Sequence, residues 1–112
     1  MKRWFALIDS RTDQPIRMFW AGPRRPGSAE LEQHEMGWPR VILLFDYQDG
    51  PMLFRYTATG EFAGDTWHAS LDDAKDQAEF EYGQALGRWL QIPDEIAKGT
   101  EAEFALRKAG TT

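Results

Sequence analysis

Two histidines stand close to acidic residues in this chain, a neighbourhood that can serve metal binding or acid–base catalysis. His34 lies among glutamates, and His68 follows Asp65 by three residues. A metal site needs three or four converging ligands, and the sequence contains no HExxH or comparable spacing. We therefore expect no metal and no cofactor. His68 is expected at the end of a strand or at the entry to a helix, bonded to the backbone, with a metal or acid–base role as the alternative.

Carboxylates and hydroxyls could supply other chemistry, but each has a simpler structural role. Paired carboxylates such as Asp46 with Asp49 act as acid and base only in a cleft that raises one pKa, and turn or helix-cap roles explain them. The serines occupy turn or cap positions, and the glycines of TATGEFAGDT lack the lysine of a phosphate-binding loop. We predict no catalytic residue, and the sequence favours a protein that is not an enzyme.

The charges are unevenly distributed along the chain. Residues 1–40 contain seven Lys or Arg against five Asp or Glu, whereas residues 41–112 contain six against thirteen, which gives the net charge of −5. Nucleic acids require a basic surface, and the largest basic cluster is Arg24 with Arg25, so we expect no nucleic-acid partner. A protein with a basic surface is the better electrostatic match for the acidic part.

Length and composition are those of one globular domain. The chain has 112 residues, of which 42% are hydrophobic and 28% charged, and we treat 1–112 as a single domain. It has no cysteine, which excludes disulfides and thiolate metal sites and fits a cytoplasmic location. No apolar run reaches the roughly 18 residues of a membrane helix. The N-terminal apolar stretch is too short for a secretory signal, so we expect no membrane association.

One amphipathic helix, predicted over about residues 70–87, organises the fold. Ser70 is a good N-cap, and Asp72 and Asp73 complement the positive end of the helix dipole. Gly87 is the predicted stop. Apolar residues recur at spacings of three and four, so one stripe of the helix should pack against a sheet. The members of this stripe are Leu71, Ala74, Ala78, Tyr82 and Ala85.

Phe80 does not belong to that stripe. It lies nine residues after Leu71, a rotation of about 900°, and therefore projects from the opposite side of the helix, on an acidic outer face. A terminal segment or a second copy of the chain would cover it; the alternatives are an anchor for a binding partner and simple exposure. The candidate binding residues are Phe80, Asp73, Asp76, Trp67, His68, Arg24 and Arg25.

The remaining pattern predicts an α+β fold with an antiparallel meander of five or six strands. Residues 4–8 are apolar on both faces, and a hairpin should return the chain over 16–20. Residues 21–39 form a long irregular loop, either a connector or a contact loop that carries Arg24 and Arg25.

Val41–Phe45 is the most apolar run and predicts a central strand. The amphipathic helix should bury one face of this strand, and a partner or the C-terminal segment the other. A homodimer would cover both this run and Phe80. Further strands are predicted over 52–58, 61–67 and 88–92, and a second helix over about 94–109, with a turn followed by a shorter helix as the alternative.

The segment GDTWHASLDDAKDQAEFEYG, followed by RWLQIP, resembles a pattern of small uncharacterised bacterial proteins. In that pattern a strand ending in a Trp-His pair leads into a Ser-capped helix and then into a strand that contains tryptophan. The resemblance implies the same arrangement and a bacterial source, and it brings no catalytic residue with it.

Two function classes follow from these features. The first is a non-enzymatic protein-binding module that acts through an acidic surface with aromatic anchors, as immunity proteins and inhibitors of similar size and charge do. The second is a small-ligand-binding protein or enzyme with an aromatic pocket between sheet and helix. An exposed Phe80 would favour the first class, and a deep pocket with His68 at its floor the second. The predicted pocket is lined by Trp4, Trp20, Trp67 and Trp89.

Overall fold

A computed structural model describes residues 1–9 and 38–110, which contain one open antiparallel sheet. Its strands are β1 (Arg3–Leu7), β2 (Pro39–Phe45), β3 (Met52–Thr57), β4 (Phe62–Trp67) and β5 (Leu90–Gln91), in the order β4-β3-β2-β1-β5. The helices are α1 (Leu71–Tyr82) and α2 (Glu101–Lys108), and a 3₁₀ turn over Gly83–Ala85 follows α1. The predicted α+β meander is confirmed, with five strands in the described residues.

The sheet lies between the two helices because its central strands are apolar on both faces. Ala6 of β1 and Ile8, which follows the strand, belong to a buried cluster with α1, whereas Phe5 of β1 belongs to a second cluster with α2. In β2, Ile42 and Leu44 lie on the α1 side, and Val41 and Leu43 on the α2 side. The chain's own C-terminal helix thus supplies the cover that the second face of β2 requires.

α1 begins where its cap predicts. The Asp73 amide donates to Ser70 Oγ at 3.0 Å. Ala74, Ala78 and Tyr82 are buried in the core cluster of this face, which confirms the predicted helix register. Their small or planar side chains allow the helix to lie close to the sheet.

α1 ends earlier than predicted. Its last residue is Tyr82, and Gly83 follows with a φ of 53°, a left-handed conformation that glycine adopts at little cost. The predicted stop, Gly87, has a different role. Its amide donates to Leu7 O at 2.7 Å, and a Cβ at this position would lie 3.0 Å from the same oxygen. Gly87 therefore permits the backbone to approach β1, and the helix prediction over 70–87 was too long.

β5 is shorter than the strand predicted over 88–92. It consists of Leu90 and Gln91, both exposed, which pair with Phe5 and Trp4 of β1 at the edge of the sheet.

The second helix begins at Glu101 and not near residue 94. The Arg3 guanidinium donates to the carbonyl oxygens of Pro93 and Ile96 at 3.0 and 2.9 Å. The Ile96 amide donates to Pro93 O and the Thr100 amide to Ala97 O, both at 3.1 Å, and bonds of this i to i+3 spacing make turns before the helix. The prediction of a helix over 94–109 was therefore wrong at its start, and the alternative of a turn with a shorter helix is correct.

Several predictions fall outside the described residues. They concern the return strand over 16–20, the loop up to residue 37, and the side chains of Arg24, Arg25, His34 and Trp20.

Candidate functional site

Phe80 lies on the outer side of α1, as its register predicts, and its side chain is 86% exposed. Asp76 precedes it by about one helical turn and Asp73 by about two. Both aspartates are exposed, as are two further carboxylates of this helix. We call this surface the acidic helix face; its members are Asp72, Asp73, Asp76, Glu79 and Phe80.

A buried ion pair attaches α1 to the sheet. Arg55 of β3 is 2% exposed, and its Nε and Nη2 donate to the two carboxylate oxygens of Glu81, both at 2.8 Å. Gln77 Nε2 donates to the same carboxylate at 2.7 Å. A bidentate pair fixes orientation as well as distance. Sequence reasoning missed this pair, although an arginine within an apolar strand signals that a carboxylate must reach it.

His68 extends this network towards the acidic helix face. Its Nε2 lies 2.7 Å from Thr66 Oγ1 and its Nδ1 3.1 Å from Asp73 Oδ2, while Arg55 Nη2 donates to the Thr66 hydroxyl at 3.2 Å. Because arginine only donates, the Thr66 hydroxyl accepts from Arg55 and has its proton available for Nε2 of His68, while Nδ1 of His68 faces Asp73. The predicted position at the end of a strand is correct. The imidazole, however, bonds to side chains and not to the backbone.

The series Thr66, His68, Asp73 has the composition of a catalytic triad. A triad requires a hydroxyl that is free to attack a substrate. Here the hydroxyl is shared between Arg55 and His68, and His68 is only 6% exposed. The series therefore joins β3 and β4 to α1 and orients Asp73, and it offers no free nucleophile.

A groove opens on the opposite face of the sheet, beside α2, and has a volume of about 1040 Å³. Its floor consists of β2 and β3 side chains that alternate with those facing α1. α2 and the turn before it form one wall. We call this cleft the aromatic groove; its main lining residues are Leu43, Phe45, Tyr47, Phe54, Tyr56, Lys98, Glu101, Ala102 and Leu106.

The aromatic groove is not the tryptophan pocket that the sequence suggests. Trp4 and Trp89 pack against the core cluster on the α1 side. Trp67 is 49% exposed and lies in register with Met52, and its indole donates to Asp49 O at 3.0 Å. Because neighbours in a strand point to opposite faces, Trp67 and His68 lie on different sides of the sheet. The space between sheet and α1 is filled by core side chains.

A second buried ion pair supports one wall of the groove. Arg3 and Glu101 are 6% and 5% exposed, and Arg3 Nη1 donates to Glu101 Oε2 at 2.8 Å. The Gly99 amide donates to the other oxygen at 2.7 Å. Burial, the largest single influence, raises the pKa of Glu101. The hydrogen bonds from Arg3 and from the amides of Glu101 and Gly99 outweigh burial, so the pKa lies below its ordinary value. Glu101 is therefore ionised at neutral pH and neutralised by Arg3.

Tyr47 and Tyr56 bring two phenols to the groove. Burial, followed by the negative charge of Glu101, raises the pKa of both. Both phenols are therefore protonated at neutral pH and available as hydrogen-bond donors.

The structure brings three of the seven candidate residues together on one surface. Phe80, Asp73 and Asp76 share the acidic helix face. The buried His68 contacts the Asp73 carboxylate through Nδ1. Trp67 lies on the other side of the sheet. Arg24 and Arg25 are outside the described residues.

Comparisons of the chain with protein-family models, with curated proteins and with solved structures found no match. In the described part of the chain, no group of three or more His, Cys, Asp or Glu side chains could hold a metal ion. The same residues include no helix that is both long and apolar enough to cross a membrane. The two surfaces themselves are therefore the guide to function.

Proposed function

We propose that the protein is a non-enzymatic protein-binding module whose acidic helix face docks against a partner with a basic surface. The exposure of Phe80 carries this proposal, because the opposite side of the same helix is buried in the core. Burying a phenylalanine side chain gains roughly 1.5–3 kcal/mol, which an exposed ring leaves available to a partner. A single aromatic anchor of this kind is typical of the residues that dominate protein interfaces.

The charges around Phe80 indicate the chemistry of the partner. Four exposed carboxylates lie on the acidic helix face, and the cation of α1, Lys75, has its ammonium group 5.9 Å from the Trp4 ring centroid on the core side. A partner that presents Lys or Arg side chains around an apolar socket would complement this surface. Complementary charge also raises the rate of encounter.

Side chains of α1 are held by contacts with the sheet and with His68, which lowers the cost of docking. Asp73 is held by His68, and Glu81 by the buried Arg55. Because the backbone beneath Phe80 is fixed before a partner arrives, little conformational entropy is lost on association.

A second copy of the chain is the alternative occupant of this face. In a twofold dimer the same surface meets itself, so the carboxylates of one copy would oppose those of the other. A basic partner is therefore favoured over the homodimer. Light scattering over a dilution series tests the alternative: dimers that Phe80→Asp converts to monomers would show that a second copy occupies the face.

The main test compares Phe80→Ala with Phe62→Ala, which removes another exposed ring, 52% exposed, from the groove side of the sheet. Proteins captured from the source cells are identified and purified, and their affinity for each variant is measured. We expect a basic partner whose Kd rises about 30-fold or more in Phe80→Ala, the effect of an interface hot spot of about 2 kcal/mol. Phe62→Ala should leave the Kd unchanged. A partner that binds Phe80→Ala as tightly as the wild type contradicts the proposal.

Because the chain lacks cysteine, we also propose that this interaction takes place in a reducing cytoplasm. The bacterial source of the chain is part of the same proposal and rests on the sequence resemblance.

A further inference from the structure

The floor of the aromatic groove suits an apolar body and not a stacked base or sugar. The ring centroids of Phe45 and Phe54 are 5.2 Å apart with planes tilted by 55°, and Tyr47 meets these two rings at 57° and 74°. Rings at such angles form a cup of faces and edges and do not form the coplanar platform on which bases stack. The volume of about 1040 Å³ lies at the upper end of the range for small-molecule sites.

The polar groups of the groove are predominantly donors. The hydroxyls of Tyr47 and Tyr56 have no hydrogen-bond partner among residues 1–9 and 38–110. Lys98 lines the same cleft and forms no ion pair within those ranges. Two phenols and an ammonium group at an apolar cleft can all donate to one acceptor, and a carboxylate is the acceptor that also complements the charge.

The two carboxylates that line the groove are each ion-paired, which weakens their repulsion of an anion, although the charge of Glu101 still raises the pKa of both phenols. Glu101 is neutralised by Arg3, with 2.8 Å between Nη1 and Oε2. Glu103 and Arg107, which also line the groove, are paired with each other. Lys98 is thus a cation of the groove lining without an ion pair in the described residues, and the N-terminal residue Met1 lines the same groove, although the whole chain carries a net charge of −5.

We propose that the aromatic groove is a binding site for a small amphipathic carboxylate. The apolar body of this ligand lies on Phe45 and Phe54, and its carboxylate accepts hydrogen bonds from Lys98 and the phenols of Tyr47 and Tyr56. This site is separate from the acidic helix face, because the sheet lies between them.

Calorimetric titration with naphthalene-2-carboxylate and with decanoate tests the site, and naphthalene-2-carboxamide serves as the neutral isostere. We expect at least one of the two carboxylates to bind saturably, with one equivalent per chain. The amide should bind at least tenfold more weakly than naphthalene-2-carboxylate. The expected difference is about 1.4 kcal/mol, in keeping with a charge-assisted hydrogen bond. Amide chemical shifts should change at Tyr56 and Ala102 and not at Phe80.

Lys98→Met is the decisive variant, with Lys108→Met as its control. Lys108 is also on the C-terminal part of the chain, but its ammonium group lies 5.5 Å from the Phe104 ring centroid and outside the groove lining. Lys98→Met should weaken the carboxylate about tenfold and leave the amide unchanged, whereas Lys108→Met should affect neither. The proposal is overturned if neither carboxylate binds at millimolar concentration, if the amide binds as tightly, or if Lys98→Met has no effect. Binding of a partner at Phe80 is measured separately and does not depend on this result.

Discussion

Arg55 is the residue on which the attachment of α1 most depends. A guanidinium group that is 2% exposed has lost nearly all of its hydration, which costs several kcal/mol unless hydrogen bonds replace the water. Both oxygens of Glu81 and the hydroxyl of Thr66 accept from it. Removal of one partner leaves the other charge buried without compensation, so the pair is sensitive to single substitutions even if its net contribution to stability is small.

Arg55→Met should lower the free energy of unfolding by about 3 kcal/mol, because it removes the cation that pairs with Glu81, whose side chain stays 16% exposed and keeps only neutral partners such as Gln77 and Tyr82. Arg107→Met is the matched control. It removes an ion pair with Glu103 whose side chains are 66% and 62% exposed, and it should cost less than about 0.5 kcal/mol. Urea titration measures the free energy of unfolding of both variants. If Arg55→Met lowers the free energy of unfolding as little as the control does, the role assigned to the pair of Arg55 and Glu81 is contradicted.

At the scale of elements, local signals located α1 but not its end. The Ser70 cap and the alanine spacing involve residues within one or two turns of each other, so the sequence could specify the helix start and the buried stripe. The exposure of Phe80 follows from the same register. The helix ends before Gly83, and Gly87, the predicted stop, instead contacts Leu7 of β1, across most of the chain. Tertiary contacts of this kind leave no periodic pattern in the sequence.

α2 and the aromatic groove were harder to predict for the same reason. The turn before α2 is held by Arg3, which is 98 residues from Glu101. The groove combines β2, β3 and α2, so its lining residues are distant in sequence. The heavy content of aromatic residues indicated an aromatic site, but it could not show that Trp4 and Trp89 would pack with the core while Phe45 and Phe54 line the cleft.

The ion pair that supports α2 should make stability depend on acid pH. The pKa of Glu101 is lower in the folded state than its ordinary value of 4.5, so the unfolded chain takes up the proton first as the pH falls. The contribution of Glu101 is complete above the unfolded pKa and is lost as the pH falls through the folded pKa. Glu101→Gln should therefore be less stable than the wild type at pH 7, and the difference should shrink towards pH 3.

Urea titrations at several pH values measure this difference. Glu103→Gln is the control, since its carboxylate is on the same helix with a side chain that is 62% exposed. Its stability should follow the wild type at every pH, within about 0.5 kcal/mol. The difference in unfolding free energy between Glu101→Gln and the wild type could instead stay constant or widen at acid pH. That result would show that the carboxylate form of Glu101 does not support the fold.

At the scale of the whole molecule, the acidic helix face and the aromatic groove lie on opposite sides of one sheet whose central strand is buried on both faces. Each surface is attached to that sheet by its own ion pair, Arg55 with Glu81 on one side and Arg3 with Glu101 on the other. The two sites share no side chain. The described residues show no element whose two arrangements both sites could favour differently.

Occupancy of one site should therefore leave the affinity of the other unchanged. The Kd of the protein partner is measured with and without a saturating carboxylate, and the Kd of the carboxylate with and without the partner. We expect changes of less than about twofold, the limit set by additivity for distant sites. In the double variant of Phe80→Ala with Lys98→Met, each affinity should fall by the amount seen in the corresponding single variant. A larger coupling in both directions would show that the sheet or its helices have two arrangements and that the two surfaces act as one regulated unit.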